Sequence, residues 1–507
     1  MVNIILLFLI LGGIVTWYFY LTRNYNYWRD RGIPCAKGIL PGFGNTWLVT
    51  SLKMNLADFT RRIYESHSDC SMIGFYDKTV PALMVREPEL VKTVVQTDFA
   101  SFSENLLKLD PHLDPLLSLN PFFSAGKVWH TYRKRFIHAF SGMKLKLLFN
   151  YIEQVYGKFE DYLDQQLQKG GTLEVELKEL FSRYTGEAVA NAGFSVEGFC
   201  FENETRSPTR TSFHAIGQSI FQSNFFTQIV QSLNFFLPEL NRIFRMPFVP
   251  RWVDQFFRDT VEQILQLRQQ ENERRSDFLQ VMIDLEEKDE DGRYNIQALA
   301  AHVLGLFMDG YETTSITLSF IGYQLARHPS VLQRLRDEVE TVLVKYDNRL
   351  TYESLKEMTY MDQVISESQR FYSALATMGK ICTQEFELVG SDGLRCRVQP
   401  GMPIMIPVHE LHRDSKYWPD PDAFNPDRFA ADKKEQIERY TFLPFGEGPR
   451  MCAGMRMGMM MMKSCLATLV RRYTLELSPK TQEPLKMQPG NFFTIPIGGL
   501  WVHIKRL

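Results

Sequence analysis

The sequence predicts a mainly helical protein with a minor β region, carried on an N-terminal membrane-anchor helix. Three observations predict it. The run from Ile4 to Leu21 is uncharged, mostly apolar and long enough to span a bilayer as a helix. Between residues 46 and 507 no linker, internal repeat or low-complexity tract is large enough to split the chain. Within that span short β-like pieces come early, as at Val80 to Arg86, and most later segments read as helices.

Composition supports this. A chain of 507 residues has room for two or three ordinary domains or for one large unit. With 45% hydrophobic and 23% charged residues it can bury a sizeable core. The net charge of -2 gives no whole-chain reason to expect nucleic acid as a partner. Seven scattered cysteines, an odd number, suit a reducing compartment better than a disulfide framework. The 38 Phe and 21 Met fit an ordinary core, and equally an adaptable apolar pocket.

Residues 1–22 form the expected anchor. Trp17, Tyr18 and Tyr20 sit at its end, where interfacial aromatics belong, and Arg23, Arg29, Arg31 and Lys37 follow. By the positive-inside rule the bulk of the protein stays cytoplasmic. A cleaved signal would need a basic start and a small-x-small cleavage site, and neither is evident. Residues 23–45, rich in Pro and Gly, read as a hinge that stands the body off the membrane. The body is then residues 46–507. Asn203-Glu204-Thr205 is a glycosylation triplet that a cytosolic body would leave unmodified.

Along the body, Trp129 and Arg133 share one face of a basic helical stretch ending near Phe140. Lys134, Arg135, Lys144 and Lys146 add charge, either as a solvated face or as a dock for an acidic electron donor. Phe213 to Pro250 are rich in aromatic and aliphatic residues, which suits a buried helix pair or a roof that dips into lipid. Asn295 to about Arg327 reads as one long helix, roughly 45–50 Å at 1.5 Å per residue. It contains Asp309-Gly310-Tyr311-Glu312-Thr313-Thr314. Gly310 lets the backbone approach a flat cofactor or loosen locally. Glu312 and Thr313 read as an acid–alcohol pair able to hold water and pass protons to a metal-bound ligand. Asp309 lies at i,i+3 and i,i+4 to them, so a second carboxylate is expected there; otherwise it caps a distorted turn. Glu367 and Arg370 form an i,i+3 pair. Finally, Phe445-Gly446-Glu447-Gly448-Pro449-Arg450-Met451-Cys452-Ala453-Gly454 sets a lone cysteine in a glycine-rich loop just ahead of a helix that runs to about Arg471. The helix start favours thiolate over thiol, so Cys452 reads as a single ligand for a soft metal centre. His409-Glu410-Leu411-His412 lacks zincin spacing, Gly446-x-Gly448 lacks a βαβ context, and the Met455 to Met462 cluster reads as helix core.

The loop resembles the haem-ligand signature of the cytochrome P450 family, Phe-x-x-Gly-x-Arg-x-Cys-x-Gly, at every fixed position. Companion elements resemble the family too: Trp129-x-x-x-Arg133, Gly310-x-Glu312-Thr313-Thr314, Glu367-x-x-Arg370, Phe424 to Phe429 and the Pro/Gly hinge. Asp309 departs from the pattern, which has a small apolar residue there. Ser373 and Lys380 stand where proline and arginine are usual.

The resemblance covers nearly the whole chain and implies the cytochrome P450 fold, a large helical haem domain with a minor β region. It implies Cys452 as the iron ligand and Phe445, Gly446, Arg450 and Gly310 around haem b. Trp129, Arg133 and Lys380 would stand at its propionates. It implies a structural lock of Glu367 between Arg370 and Arg428, and an apolar pocket lined by Ala374 to Met378 and Phe492 to Thr494.

The implied activity is insertion of one atom of O2 into lipophilic small molecules: xenobiotics, hormones or lipids. The chain carries no flavin or nicotinamide motif, so its electrons must come from a partner; the resemblance implies an NADPH-dependent flavoprotein reductase in the same membrane, with cytochrome b5 as a further donor. The wording looks closest to microsomal members of the clan holding insect and vertebrate detoxification enzymes, hence an endoplasmic reticulum membrane location. Two rivals stay open on sequence alone: a haem-thiolate isomerase or dehydratase needing no external electrons, and a haem-based binder.

Overall fold

A computed structural model describes residues 2–168, 170–202, 211–222, 224–271, 274–289 and 295–507. The Asn203-Glu204-Thr205 triplet lies outside the described residues. The chain forms two compact units.

The first unit holds Met1–Leu107, Leu375–Pro419 and Glu438–Pro449. It opens with the helix Val2–Thr22, whose apolar side chains from Ile4 to Tyr20 are exposed. Among the described residues this is the one helix long and apolar enough to cross a membrane. Its main sheet has five strands in the order Met72–Asp77, Val80–Val85, Pro403–Ile406, Met378–Ile381, Glu104–Asn105. The pairings are antiparallel except for Leu83 opposite Ile404 and Met84 opposite Met405, which run parallel. A separate hairpin pairs Phe386–Val389 with Arg395–Val398. The stretch 23–45 packs on the edge of the main sheet. Trp28 is fully buried and donates its indole N–H to the Phe75 carbonyl at 2.9 Å, and Ala36 N–H bonds the Gly74 carbonyl. Gly74 makes this possible: a Cβ there would lie 2.4 Å from the Trp28 ring. An aromatic side chain with a large apolar face outweighs the hinge-like backbone composition around it.

The second unit holds Lys108–Ala374, Asp420–Ile437 and Arg450–Leu507. Its axis is the helix Ile296–Arg327, capped by the Asn295 side chain accepting from Ala298 N–H and stopped by His328-Pro329. From Ala298 to Ala326 every side chain is buried except those at Asp309, Gly310 and Thr313. Close approach is arranged by glycine. A Cβ on Gly217, in the helix Phe213–Phe221, would lie 2.1 Å from the Tyr311 ring. The strands Thr172–Glu176, Trp501–Arg506 and Tyr473–Leu477 form an antiparallel sheet in that order.

The segment 213–250 has buried and exposed apolar parts. Phe213, Ile216, Ile220 and Phe221 are buried, whereas the helices Phe225–Gln231 and Pro238–Phe244 present Phe225 (72% exposed), Phe226, Ile243 and Phe244 outward. Glu367 accepts two bonds from Arg370, at 2.8 and 3.0 Å, and one from Asn425 N–H; Arg428 Nε lies 3.4 Å away. Glu367 and Arg370 are fully buried, so the paired guanidiniums answer the charge that burial would otherwise leave exposed to low dielectric.

Candidate active site

The cysteine loop is shaped by its glycines. Gly446 and Gly448 have φ of 68° and 74°. A Cβ on Gly448 would lie 1.9 Å from the Val95 carbonyl oxygen, so no other residue fits. Phe445 is half-buried beside them. In the same unit Lys380 is buried and donates to Asn105 Oδ1 at 2.7 Å.

Cys452 lies three residues ahead of the helix Met455–Arg472. The N–H groups of Gly454 and Met455 and the Arg133 charge favour its thiolate, as the sequence predicts. They do not win. Burial, reinforced by the Asp309 carboxylate, pushes the thiol up to about 11. Burial strengthens the pull of the helix start, but it raises the cost of stripping water from the thiolate by more. A thiolate here therefore needs a bound cation to hold it. Cys452 is nonetheless exposed, as is Asp309. Side chains that are both exposed and deep face an internal cavity.

On the helix Gly126–Ala139, Trp129 is buried and carries the Arg450 guanidinium 4.5 Å above its ring. Arg450 also donates to the carbonyls of Pro121 and Ser124 at 2.8 and 3.0 Å. Arg133 is half-buried with its Nε–H buried and unpartnered, and burial lowers its pKa. Such a donor calls for an anion. Arg135, read from sequence as a docking charge, is instead buried against Glu286 and His302. It packs inside because the helix face opposite Lys134 meets the core.

The long helix separates residues that the sequence placed together. Asp309 Oδ2 accepts from Asn120 Nδ2 at 3.1 Å, and burial raises its pKa to about 6. The Thr313 hydroxyl donates to the Asp309 backbone carbonyl at 2.6 Å, not to Glu312. Glu312 is 0% exposed and turns to Lys178, 3.1 Å away on the helix Leu177–Phe194. Burial raises its pKa while Lys178 opposes the shift. The acid–alcohol pair and the two facing carboxylates are thus not formed. Neighbours on a helix lie about 100° apart, which sends Glu312 toward the adjacent helix. Gly310, too, serves packing between helices: a Cβ there would lie 3.0 Å from Val189 Cγ2. Asn120 and Lys178 were not legible in sequence, because nothing local marks them. Behind the long helix lies a cavity of about 240 Å³ with a mixed lining, polar at Lys178, Glu179, His214 and Gln218 and apolar at Phe221 and Phe320. There His214 bridges Glu179, at 2.9 Å, and the Tyr311 hydroxyl, at 3.1 Å.

The family model for Cytochrome P450 matches residues 34–502. Cytochrome P450 6a2 of Drosophila melanogaster is 32% identical over 500 residues, covering 96% of each chain. Cytochrome P450 6j1 of Blattella germanica is 29% identical over 96% of this chain and 95% of its own. The class is that of haem-dependent monooxygenases, with haem b as cofactor and O2 as co-substrate. The chain belongs to the cytochrome P450 family. The residues present fit haem: an exposed thiol deep in the protein, two N–H groups aimed at it, and an unpartnered buried guanidinium for a carboxylate.

Proposed function

We propose that this protein oxygenates lipophilic small molecules, drawing electrons from an NADPH-dependent flavoprotein reductase in the endoplasmic reticulum membrane, with its body on the cytoplasmic side. Haem bound through sulfur supplies oxygen activation, since thiolate donation favours O–O cleavage. The observation that carries the reading is Cys452: an exposed thiol, deep enough that burial opposes its ionisation, with the Gly454 and Met455 N–H groups directed at it.

Cys452 Sγ is the iron ligand, and those N–H groups restrain the sulfur. Arg133 offers its unpartnered Nε–H, and Arg450 its charge above Trp129, to the haem carboxylates. Lys380 keeps the carboxylate-binding role that its place in the sequence implies, while Phe445, Gly446 and Gly448 shape the loop. Thr313 holds its hydroxyl with the proton given to a backbone carbonyl, leaving lone pairs to accept from water. Lys178 lines the cavity behind the long helix and pairs with the buried Glu312, so the two hold exchangeable protons on the other side of the helix.

The test is Cys452→Ser with carbon monoxide added to the reduced protein. The wild type is expected to show the red-shifted band of sulfur-ligated iron and the variant to lose it. Survival of that band in the variant refutes the assignment. NADPH- and O2-dependent product with added reductase tests the electron source, and product formed with peroxide but never with reductase and NADPH contradicts it.

A further inference from the structure

Asp309 is a deep carboxylate with no cation. Among the described residues it makes no ion pair, and its one side-chain partner is Asn120 Nδ2 at 3.1 Å on Oδ2. Its Oδ1 has no hydrogen-bond partner among the described residues, and the side chain is exposed to the cavity that Cys452 also faces. Buried charges are ordinarily paired, because an isolated one loses its hydration with nothing in return. A carboxylate left in this way has a place for a positive partner.

The place is built rather than incidental. Asn120 is buried, and its Oδ1 accepts from Phe122 N–H at 2.7 Å, which fixes the amide so that Nδ2 points at Asp309. Its backbone carbonyl accepts from Phe123 and Ser124 N–H, holding the turn. Gly305, one helical turn before Asp309 on the same face, leaves the room: a Cβ there would lie 3.0 Å from Asn120 Nδ2. Aromatic rings crowd the same turn. Phe122 and Phe123 follow Asn120, and they meet Phe492 and Phe235 with ring centres 6.0 and 6.2 Å apart. A carboxylate held by the turn that carries these rings can attract the charge of a lipophilic cation while apolar side chains take up its body.

We infer that Asp309, oriented by Asn120, is a specificity determinant that pairs with the cationic nitrogen of a lipophilic substrate. Asn120 acts as a positioning residue that holds one carboxylate oxygen so that the other faces the substrate. The inference deepens the proposed function and rests on reading this cavity as the substrate's.

The test compares benzyltrimethylammonium with its uncharged isostere neopentylbenzene. The quaternary nitrogen has no lone pair, so it cannot ligate iron. Binding to the haem-loaded protein is measured by equilibrium dialysis at about pH 7.5. In the wild type the cation is expected to bind at least roughly tenfold more tightly than the isostere. Asp309→Asn should abolish that ratio while leaving neopentylbenzene affinity within about twofold, and Asn120→Ala should lower the ratio with the same neutral affinity. A wild-type ratio near one overturns the inference, as does equal weakening of both ligands in both variants. The carbon monoxide spectrum, recorded alongside, judges the haem reading separately. Its absence refutes that reading, while the dialysis ratio still decides the anchor.

Discussion

Glu410 shows how burial decides what a residue does. In sequence it belongs to a pair of histidines with a glutamate between them, which resembles a metal motif without its spacing. In the structure His412 is fully buried and accepts from Leu443 N–H through Nε2 at 2.7 Å, and no metal-type cluster occurs among the described residues. Glu410 takes one bond from the Thr60 hydroxyl, and its Oε2 is buried without a hydrogen-bond partner. Burial raises its pKa from 4.5 to about 8. Below pH 4.5 the group is neutral both folded and unfolded, and its contribution is intact. As pH rises toward 8 the unfolded chain ionises Glu410 and the folded chain does not, so stability falls. Glu410→Gln is therefore expected to have a higher melting temperature than wild type, with a gap that widens from about pH 5.5 to about pH 8. A pH-independent gap would contradict this. The same competition explains Cys452. Its ligand spacing is local and legible, but its protonation depends on how much protein surrounds it.

Among the elements, the long helix was legible from its length and its His328-Pro329 stop; what each turn faces was not. Tyr311 illustrates this. Its ring sits where Gly217 leaves space, and its hydroxyl reaches His214 on the same short helix. Gly217→Ala places a methyl against the ring, and overpacking of this kind costs about 1–3 kcal/mol. Chemical unfolding should show that loss, and Tyr311→Ala in the same chain should make the two effects non-additive. Additive losses would mean the contact is not the cause. The lock of Glu367, Arg370 and Arg428 was legible only through family resemblance, because an i,i+3 pair by itself is a common surface feature.

For the whole molecule, the apolar run at the N-terminus and the outward Phe225, Phe226, Ile243 and Phe244 are two separate exposed apolar surfaces. Deleting residues 2–22 should reduce sedimentation with phospholipid vesicles several-fold without abolishing it. Adding Phe226→Asp and Ile243→Asp to the deletion should bring it near background. Full release by the deletion alone would remove the second surface from the account.

The sequence by itself determined the membrane-anchor run, the largely helical body, the glycine loop around Cys452 and the family, because each is written in residue type and short spacing. Tertiary structure alone decided that Glu312 pairs with Lys178, that Arg135 is interior, that the stretch 23–45 docks through Trp28, and that Asn120 holds Asp309. Those contacts join residues far apart in the chain, and the direction of a side chain and its loss of water are set by what packs around it.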